Sequence, residues 1–346
     1  MKAVVKYGQR DGEVELREVP EPTAGPGEVL LEVRAAGVCG SDIEMWRHQV
    51  SFPVHTPVIQ GHEFCGVIRE VGPGVTEFQP GDRVASETAA YICRRCRSCR
   101  AGEYNLCPDR RGFGYGTDGA FTRLVRVPVR CLHRLPEGIP FAHGALTEPA
   151  CVAYNALVVK SRVRPGEPLL VIGPGPIGLF AVQVARVLGA TPILLVGTGV
   201  DRRRLAVGQQ VGAQVVVNRD ETDPMEVVRE LTGGEGVPVV VDAAGNNAAL
   251  QLSLEAVARS GQITKIGWGP PPVNLSLDLL LAKAAALQGV FSHTWRTWEA
   301  VLQMMAAGMW QMEPMITHQF PLTEWETAYH LVEDREAVKV VLTPQD

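Results

Sequence analysis

The sequence has no excess of basic charge. Its formal net charge is −5, whereas nucleic-acid binders usually carry a strong surplus of Lys and Arg, so no nucleic-acid partner is expected. Long apolar runs are also missing. No stretch approaches the ~18 consecutive apolar residues that span a bilayer, so no membrane partner is expected either. The opening MKAVVKYGQRDGEVELREV holds no apolar core of signal-peptide length. Internal repeats and low-complexity tracts are absent. Together these features predict a cytoplasmic chain whose thiols stay reduced, which makes disulfides a poor account of its eight cysteines. With 46% hydrophobic and 21% charged residues, the composition is that of an ordered globular protein, and 346 residues suit two domains.

The first ~150 residues carry short valine-rich runs such as VLLEVRAAGV (29–38) and FCGVIREVG (64–72), separated by the turns GPGE, GPGV and QPGDRV. That texture predicts a compact, barrel-like β domain. It changes near residue 165. RPGEPLLVIGPGPIGLFAVQVARVLGA reads as turn, buried strand, glycine turn and amphipathic helix. The strand TPILLVGT, the helix DRRRLAVGQQVGA and the strand QVVVN follow. VPVVVDAAG, the helix NAALQLSLEAVARSG and the strand QITKIGW continue the alternation, which predicts a parallel α/β sheet. Beyond about residue 290 the chain reads as a helix, WRTWEAVLQMMAAG, and then a strand, AVKVVLT, that rejoins the first domain.

VIGPGPIG sets Gly173, Gly175 and Gly178 in the G-x-G-x-x-G pattern, with Pro176 and Ile177 between the last two. Alone the pattern is weak, but here it follows an apolar strand and opens a helix. The first glycine makes the tight turn, the second lets backbone approach a pyrophosphate, and the third lets helix pack on strand. The helix N-terminus then offers free N–H groups to the phosphates. An NAD site would place a carboxylate about 20 residues on. The next strand instead ends in Val196-Gly197-Thr198-Gly199, with Asp201, Arg202, Arg203 and Arg204 beyond. Thr198 with Arg203 suits the 2′-phosphate of NADP; Asp201 curling back onto the ribose suits NAD. Both stay open.

Cys93, Cys96, Cys99 and Cys107 are spaced C-x2-C-x2-C-x7-C. Four thiolates on a short span can close a tetrahedral shell, and a closed shell admits no substrate, so structural zinc is the favoured reading over a redox pair or an iron–sulfur site. The neighbouring Arg94, Arg95, Arg97 and Arg100 are expected to favour the thiolate. A second set is scattered: Cys39 in GVCGSD, His62-Glu63 in GHEFCG, and Glu148 in LTEPA. One sulfur, one imidazole and one or two carboxylates suit a zinc that keeps an open position. Taken singly, Cys39 reads as a small buried hydrophobe, His62 as a turn residue and Glu148 as a solvated acid before a proline.

GVCGSD, PVIQGHEFCGVIREVG, the four-cysteine lobe, LTEPACVAYNAL and VIGPGPIG occur in this order along essentially the whole chain. The sequence resembles the zinc-dependent medium-chain dehydrogenase/reductases, nearest their sorbitol (polyol) and threonine dehydrogenase branch. That resemblance implies a GroES-like catalytic domain at 1–155 with a zinc lobe near 90–110, a Rossmann NAD(P) domain at 156–289, and a return to the first domain at 290–346. It places the active site in the cleft between the domains. It implies a homotetramer and allows a dimer.

By the same resemblance each chain holds one catalytic and one structural Zn2+. Cys39, His62 and Glu63 ligate the catalytic ion, and Glu148 binds it or orients its water. Cys93, Cys96, Cys99 and Cys107 hold the structural one. The implied reaction is oxidation of a polyol or secondary alcohol with NAD or NADP, with threonine or broad alcohol dehydrogenases as alternatives and a non-catalytic dinucleotide sensor as the rival of another class. Ser41 matches the family's proton-relay hydroxyl, while as a sequence feature Ser-Asp before IEMWRH reads as a helix N-cap. Two positions depart from the pattern. Relatives often have a histidine where this chain has Glu44, so the proton route runs through Glu44 or through His48 one helical turn on. Sorbitol dehydrogenases commonly show Arg-Tyr where this chain has Ser292 and His293, which removes a strong, oriented donor set. Trp46 matches an aromatic lining the substrate cleft, or belongs to the core.

Overall fold

The computed structural model describes residues 1–269 and 271–344. The chain forms two compact units: Met1–Glu148 with His293–Gly308 and the segment from Ile316 on, and Pro149–Ser292 with Met309–Met315.

In the first unit the longest strand, Glu28–Val38, is almost wholly buried because it is paired along both edges. Antiparallel to it run Glu63–Val71 on one side, and Leu124–Pro128 and Lys339–Thr343 on the other. Arg83–Ser86 and Leu132–Arg134 extend the sheet beyond Glu63–Val71, and Ile316–Pro321 extends it beyond Lys339–Thr343, making seven strands. Residues alternate across a pleated strand, so one face sends Val29, Leu31, Val33, Phe64 and Ile68 into a core shared with Phe113, Phe121, Trp325 and Tyr329. A smaller sheet orders Val14–Glu18, Lys2–Lys6 and Val58–Ile59. The expected return of the AVKVVLT tail is thus a strand pairing, Val340 facing Val38 and Leu342 facing Ala36.

The second unit is a six-stranded, wholly parallel sheet. Its order is Val215–Asn218, Ile193–Gly197, Leu169–Ile172, Val237–Asp242, Val257–Lys265, Ala286–Gly289, or 3-2-1-4-5-6 in chain order. That is the doubly wound dinucleotide-binding order. The central strands are continuous apolar runs, as burial on both faces requires. One sequence expectation fails locally. The helix through NAALQLSLEAVARSG stops at Ala256, and VARSG already belongs to the fifth strand, Val257–Lys265. β-branched Val257 takes extended backbone there, pairing with Val237 before a register shift. Among the described residues no helix is long and apolar enough to cross a membrane.

Candidate metal centres and dinucleotide turn

Strand register assembles the scattered set. Cys39 follows the last residue of Glu28–Val38, and Glu63 opens Glu63–Val71, with Gly37 directly opposite Glu63. A Cβ on Gly37 would lie 2.2 Å from Glu63 Oε2, so glycine leaves the carboxylate its room. One ligand atom each from Cys39, His62 and Glu63 lies within 4.8 Å of the others. A soft thiolate, an imidazole and a carboxylate gathered in this way fit a zinc ion with a vacant fourth direction. Lys339, the first residue of the strand beside Val38, donates to Glu63 Oε1 at 2.7 Å and to Val38 O at 3.0 Å. Burial alone would lower the Lys339 pKa. The Glu63 carboxylate, with Cys39 and Glu148 behind it, outweighs that and raises it.

Cys39 is the N-cap of the helix Gly40–Trp46, and Asp42 Oδ2 accepts from its backbone N–H at 2.9 Å. Ser41 is therefore not the cap: it lies inside the first turn, half-buried, with no hydrogen bond among the described residues. The other Asp42 oxygen faces His62 Nδ1 at 3.6 Å, and neither atom has a hydrogen-bond partner among the described residues. Burial would lower the His62 pKa, but Asp42 and then Cys39 hold it well above the usual value. Asp42 escaped sequence reasoning, although its place three residues after Cys39 signals a first-turn carboxylate that can bond backwards.

Glu148 is buried, not solvated, in the helix Thr147–Tyr154. It stands outside the convergent trio, and its Oε1 lies 3.0 Å from His293 Nε2. Burial would raise its pKa; the hydrogen bond from His293, with the His62 and Lys339 charges nearby, reverses the sign and lowers it. Trp298 donates its indole N–H to His293 Nδ1 at 2.7 Å. Glu44 is half-buried, its carboxyl pKa raised by burial. The helix ends at Trp46, so His48 is not one helical turn further on; it is exposed, with φ of 52°. Trp46 belongs to the core, edge-on to Trp325, Tyr329 and His330 with the Arg47 guanidinium 3.8 Å from its ring centre. Ser292 gives its carbonyl to Asn155 Nδ2 at 2.7 Å.

The sulfurs of Cys93, Cys96, Cys99 and Cys107 likewise lie within 4.8 Å of one another. What turns them toward one centre is backbone: the N–H groups of Cys93, Cys96 and Cys99 point at Cys107, Cys93 and Cys96 sulfurs at 3.3–3.4 Å. Backbone amides of Arg95 and Cys96 bring the Cys93 pKa down to about 7. The arginine side chains expected to favour the thiolate do not supply this effect.

In the second unit, Gly173 has φ of 100°, and a Cβ on it would sit 2.8 Å from Ala244 N. A Cβ on Gly178 would meet Gly173 O at 1.9 Å, so helix Pro176–Val187 packs on the turn only through glycine. A Cβ on Gly175 would touch nothing. Packing does not demand glycine there, and the open space in front of the helix N-terminus fits a pyrophosphate. Beyond the next strand, Asp201 Oδ2 accepts from the Thr198 hydroxyl at 2.7 Å and the Thr198 N–H at 3.1 Å. Arg202 pairs with Glu221 at 2.9 Å, Arg204 is buried near Asp201, and Arg203 is exposed.

Comparison with known proteins agrees with this geometry. The Alcohol dehydrogenase GroES-like domain family matches residues 25–137, and the Zinc-binding dehydrogenase family matches residues 176–307. Sorbitol dehydrogenase of Halalkalibacterium halodurans is 38% identical, covering 100% of both chains. L-threonine 3-dehydrogenase of Bacillus velezensis is 33% identical over 99% of each chain. Alcohol dehydrogenase TADH from Thermus sp. ATN1 superposes with a TM-score of 0.89 at 33% identity, covering 99% of each chain. The chain belongs to the zinc-type alcohol dehydrogenases of the medium-chain dehydrogenase/reductase superfamily, as an oxidoreductase acting on alcohols.

Proposed function

We propose that the chain is a zinc-dependent, NAD(P)-linked dehydrogenase of polyols or other secondary alcohols, working as a homotetramer. The observation that carries this reading is the convergence of Cys39, His62 and Glu63 beside a buried, separately held Glu148. Cys39, His62 and Glu63 would hold the catalytic ion, and Cys93, Cys96, Cys99 and Cys107 the structural one. When bound, zinc supplies Lewis acidity to the alcohol oxygen and the nicotinamide supplies the hydride acceptor.

The protein's own groups supply position and proton traffic. Asp42 orients the His62 ring from behind, as carboxylates commonly do for ligating histidines. Lys339 balances the negative charge that Cys39 and Glu63 bring into a buried site. Ser41, whose hydroxyl has no hydrogen-bond partner among the described residues, would take the proton from the alcohol, with Glu44 on the same helix as the titratable group proposed to receive it next. A carboxyl whose pKa burial has raised is better matched to proton exchange near neutrality than an ordinary surface glutamate. Gly173, Gly175, Pro176, Ile177 and Gly178 form the pyrophosphate turn.

Asp201 spends one carboxylate oxygen on Thr198, which favours Arg203 as the residue that selects at the ribose 2′ position. The experiment is cofactor reduction by zinc-loaded protein with sorbitol, xylitol, butanediol, threonine and simple alcohols, each with NAD and NADP. Arg203→Ala is expected to raise KM for NADP by about tenfold or more while leaving NAD nearly unchanged, the scale of one charge-assisted hydrogen bond. An equal effect on both cofactors would remove Arg203 from that role. Threonine is the second reading, favoured by the 33% identity with a threonine 3-dehydrogenase. Turnover confined to threonine would establish it over the polyol reading.

A further inference from the structure

We propose that Trp298 and His293 are positioning residues for Glu148: the indole N–H fixes the tautomer of His293, whose Nε2–H then holds the carboxylate in one orientation. An indole nitrogen can only donate. With Trp298 Nε1 2.7 Å from His293 Nδ1, that nitrogen must present its lone pair. In a neutral ring the proton is then on Nε2, 3.0 Å from Glu148 Oε1. The other tautomer would set two N–H groups against each other at 2.7 Å and leave a lone pair facing a carboxylate. Trp298 and His293 are 0% and 2% exposed, so no bulk water relieves the wrong arrangement.

Trp298 is itself braced. Its ring stacks on His133 at 5.2 Å and 13°. His133 is gripped by Glu299 at 2.6 Å and Glu87 at 3.1 Å, and Glu87 accepts from the Tyr104 hydroxyl at 2.7 Å. Packing therefore runs from the four-cysteine lobe, which carries Tyr104, to the carboxylate beside the Cys39–His62–Glu63 trio. Only Oε1 of Glu148 is committed, and Oε2 makes no hydrogen bond among the described residues. The function assigned to Glu148 rests on the dehydrogenase reading; the tautomer does not.

The test is long-range 15N–1H correlation on the zinc-loaded full-length chain with 15N-labelled histidine, His293 being assigned by the signal lost in His293→Gln. Nδ1 is expected at the unprotonated and Nε2 at the protonated position. Trp298→Phe, which keeps a ring and deletes the N–H, should leave Nδ1 without its donor, loosen the ring that holds Glu148 and lower kcat about tenfold, the worth of one buried hydrogen bond, with KM changed less than about twofold. His293→Gln, whose amide both accepts and donates, should keep more than about half of kcat, whereas His293→Leu should not. A protonated Nδ1 in the unaltered protein, or a Trp298→Phe protein with unchanged kcat, would overturn the proposal. Predicted tautomers in a protein that turns over no alcohol would instead count against the dehydrogenase reading alone.

Discussion

Lys339→Met should destabilise the first unit by roughly 3–5 kcal/mol, the cost of leaving one member of a buried ion pair without the other. Both partners are 1% exposed, Nζ lies 2.7 Å from Glu63 Oε1, and the pair sits at the joined ends of three strands. Water cannot take the lysine's place there, and methionine offers the carboxylate nothing. The loss should be larger in metal-stripped protein, where Cys39, Glu63 and Glu148 face one cation fewer. The sign with pH follows from the raised lysine and Glu63 pKa values. The lysine stays charged below its ordinary value of 10.5 and loses its proton only as pH climbs through the raised one, while burial raises the Glu63 carboxyl, so the deficit should hold toward high pH and shrink as pH falls through that raised carboxyl value. Denaturant unfolding of both proteins measures it. A deficit below about 1 kcal/mol would class the contact with surface pairs and contradict this account.

Cys107→Ser should make the 93–107 segment cleavable by added protease on the order of a hundredfold faster, with the rest of the chain still folded. Almost nothing apolar holds that segment. Cys107 and Asn105 are its only buried residues, while Leu106 is 46% exposed. Ordering fifteen residues costs far more than such a core returns. The Tyr104 hydroxyl, bonded to Glu87 and to the Trp295 N–H, is one anchor, and a metal held by the four sulfurs would add the rest. A ligand present at a hundred times its Kd adds about 2.7 kcal/mol, which sets the expected scale. Chelator should reproduce the effect in the unaltered protein. Equal cleavage with and without zinc would mean that the lobe stands without metal.

Much of this was legible before any coordinates. The glycine turn could be read because its context is local: strand, turn and helix lie within 27 consecutive residues. The cysteine lobe was legible for the same reason. Cys39 and His62-Glu63 were not a site by spacing; family resemblance and, physically, the Gly37–Glu63 register bring them together, while Glu148 stands outside that trio. The partners of these residues were hidden because each lies far away in sequence. Lys339 is the one that could have been suspected, since a lysine inside the apolar strand AVKVVLT needs a buried partner. His293 looked like a missing arginine rather than a tethered imidazole, because nothing in GVFSHTW reveals that Trp298 turns back on it. Arginines flanking the cysteines suggested thiolate stabilisation, but at Cys93 it is the backbone amides of Arg95 and Cys96 that bring the pKa down, and burial pushes Cys99 up.

The central claim is that Cys39, His62 and Glu63 form the working metal site while the four-cysteine lobe only supports the fold. The most direct measurement is zinc content and alcohol-dependent cofactor reduction on the same preparations of the unaltered chain, Cys39→Ser and Cys107→Ser. The account predicts that Cys39→Ser loses one zinc and falls to background turnover with its 93–107 segment still protected, whereas Cys107→Ser loses the other zinc and keeps measurable turnover while it remains folded. Full turnover in Cys39→Ser, or loss of both ions from that single change, would contradict it.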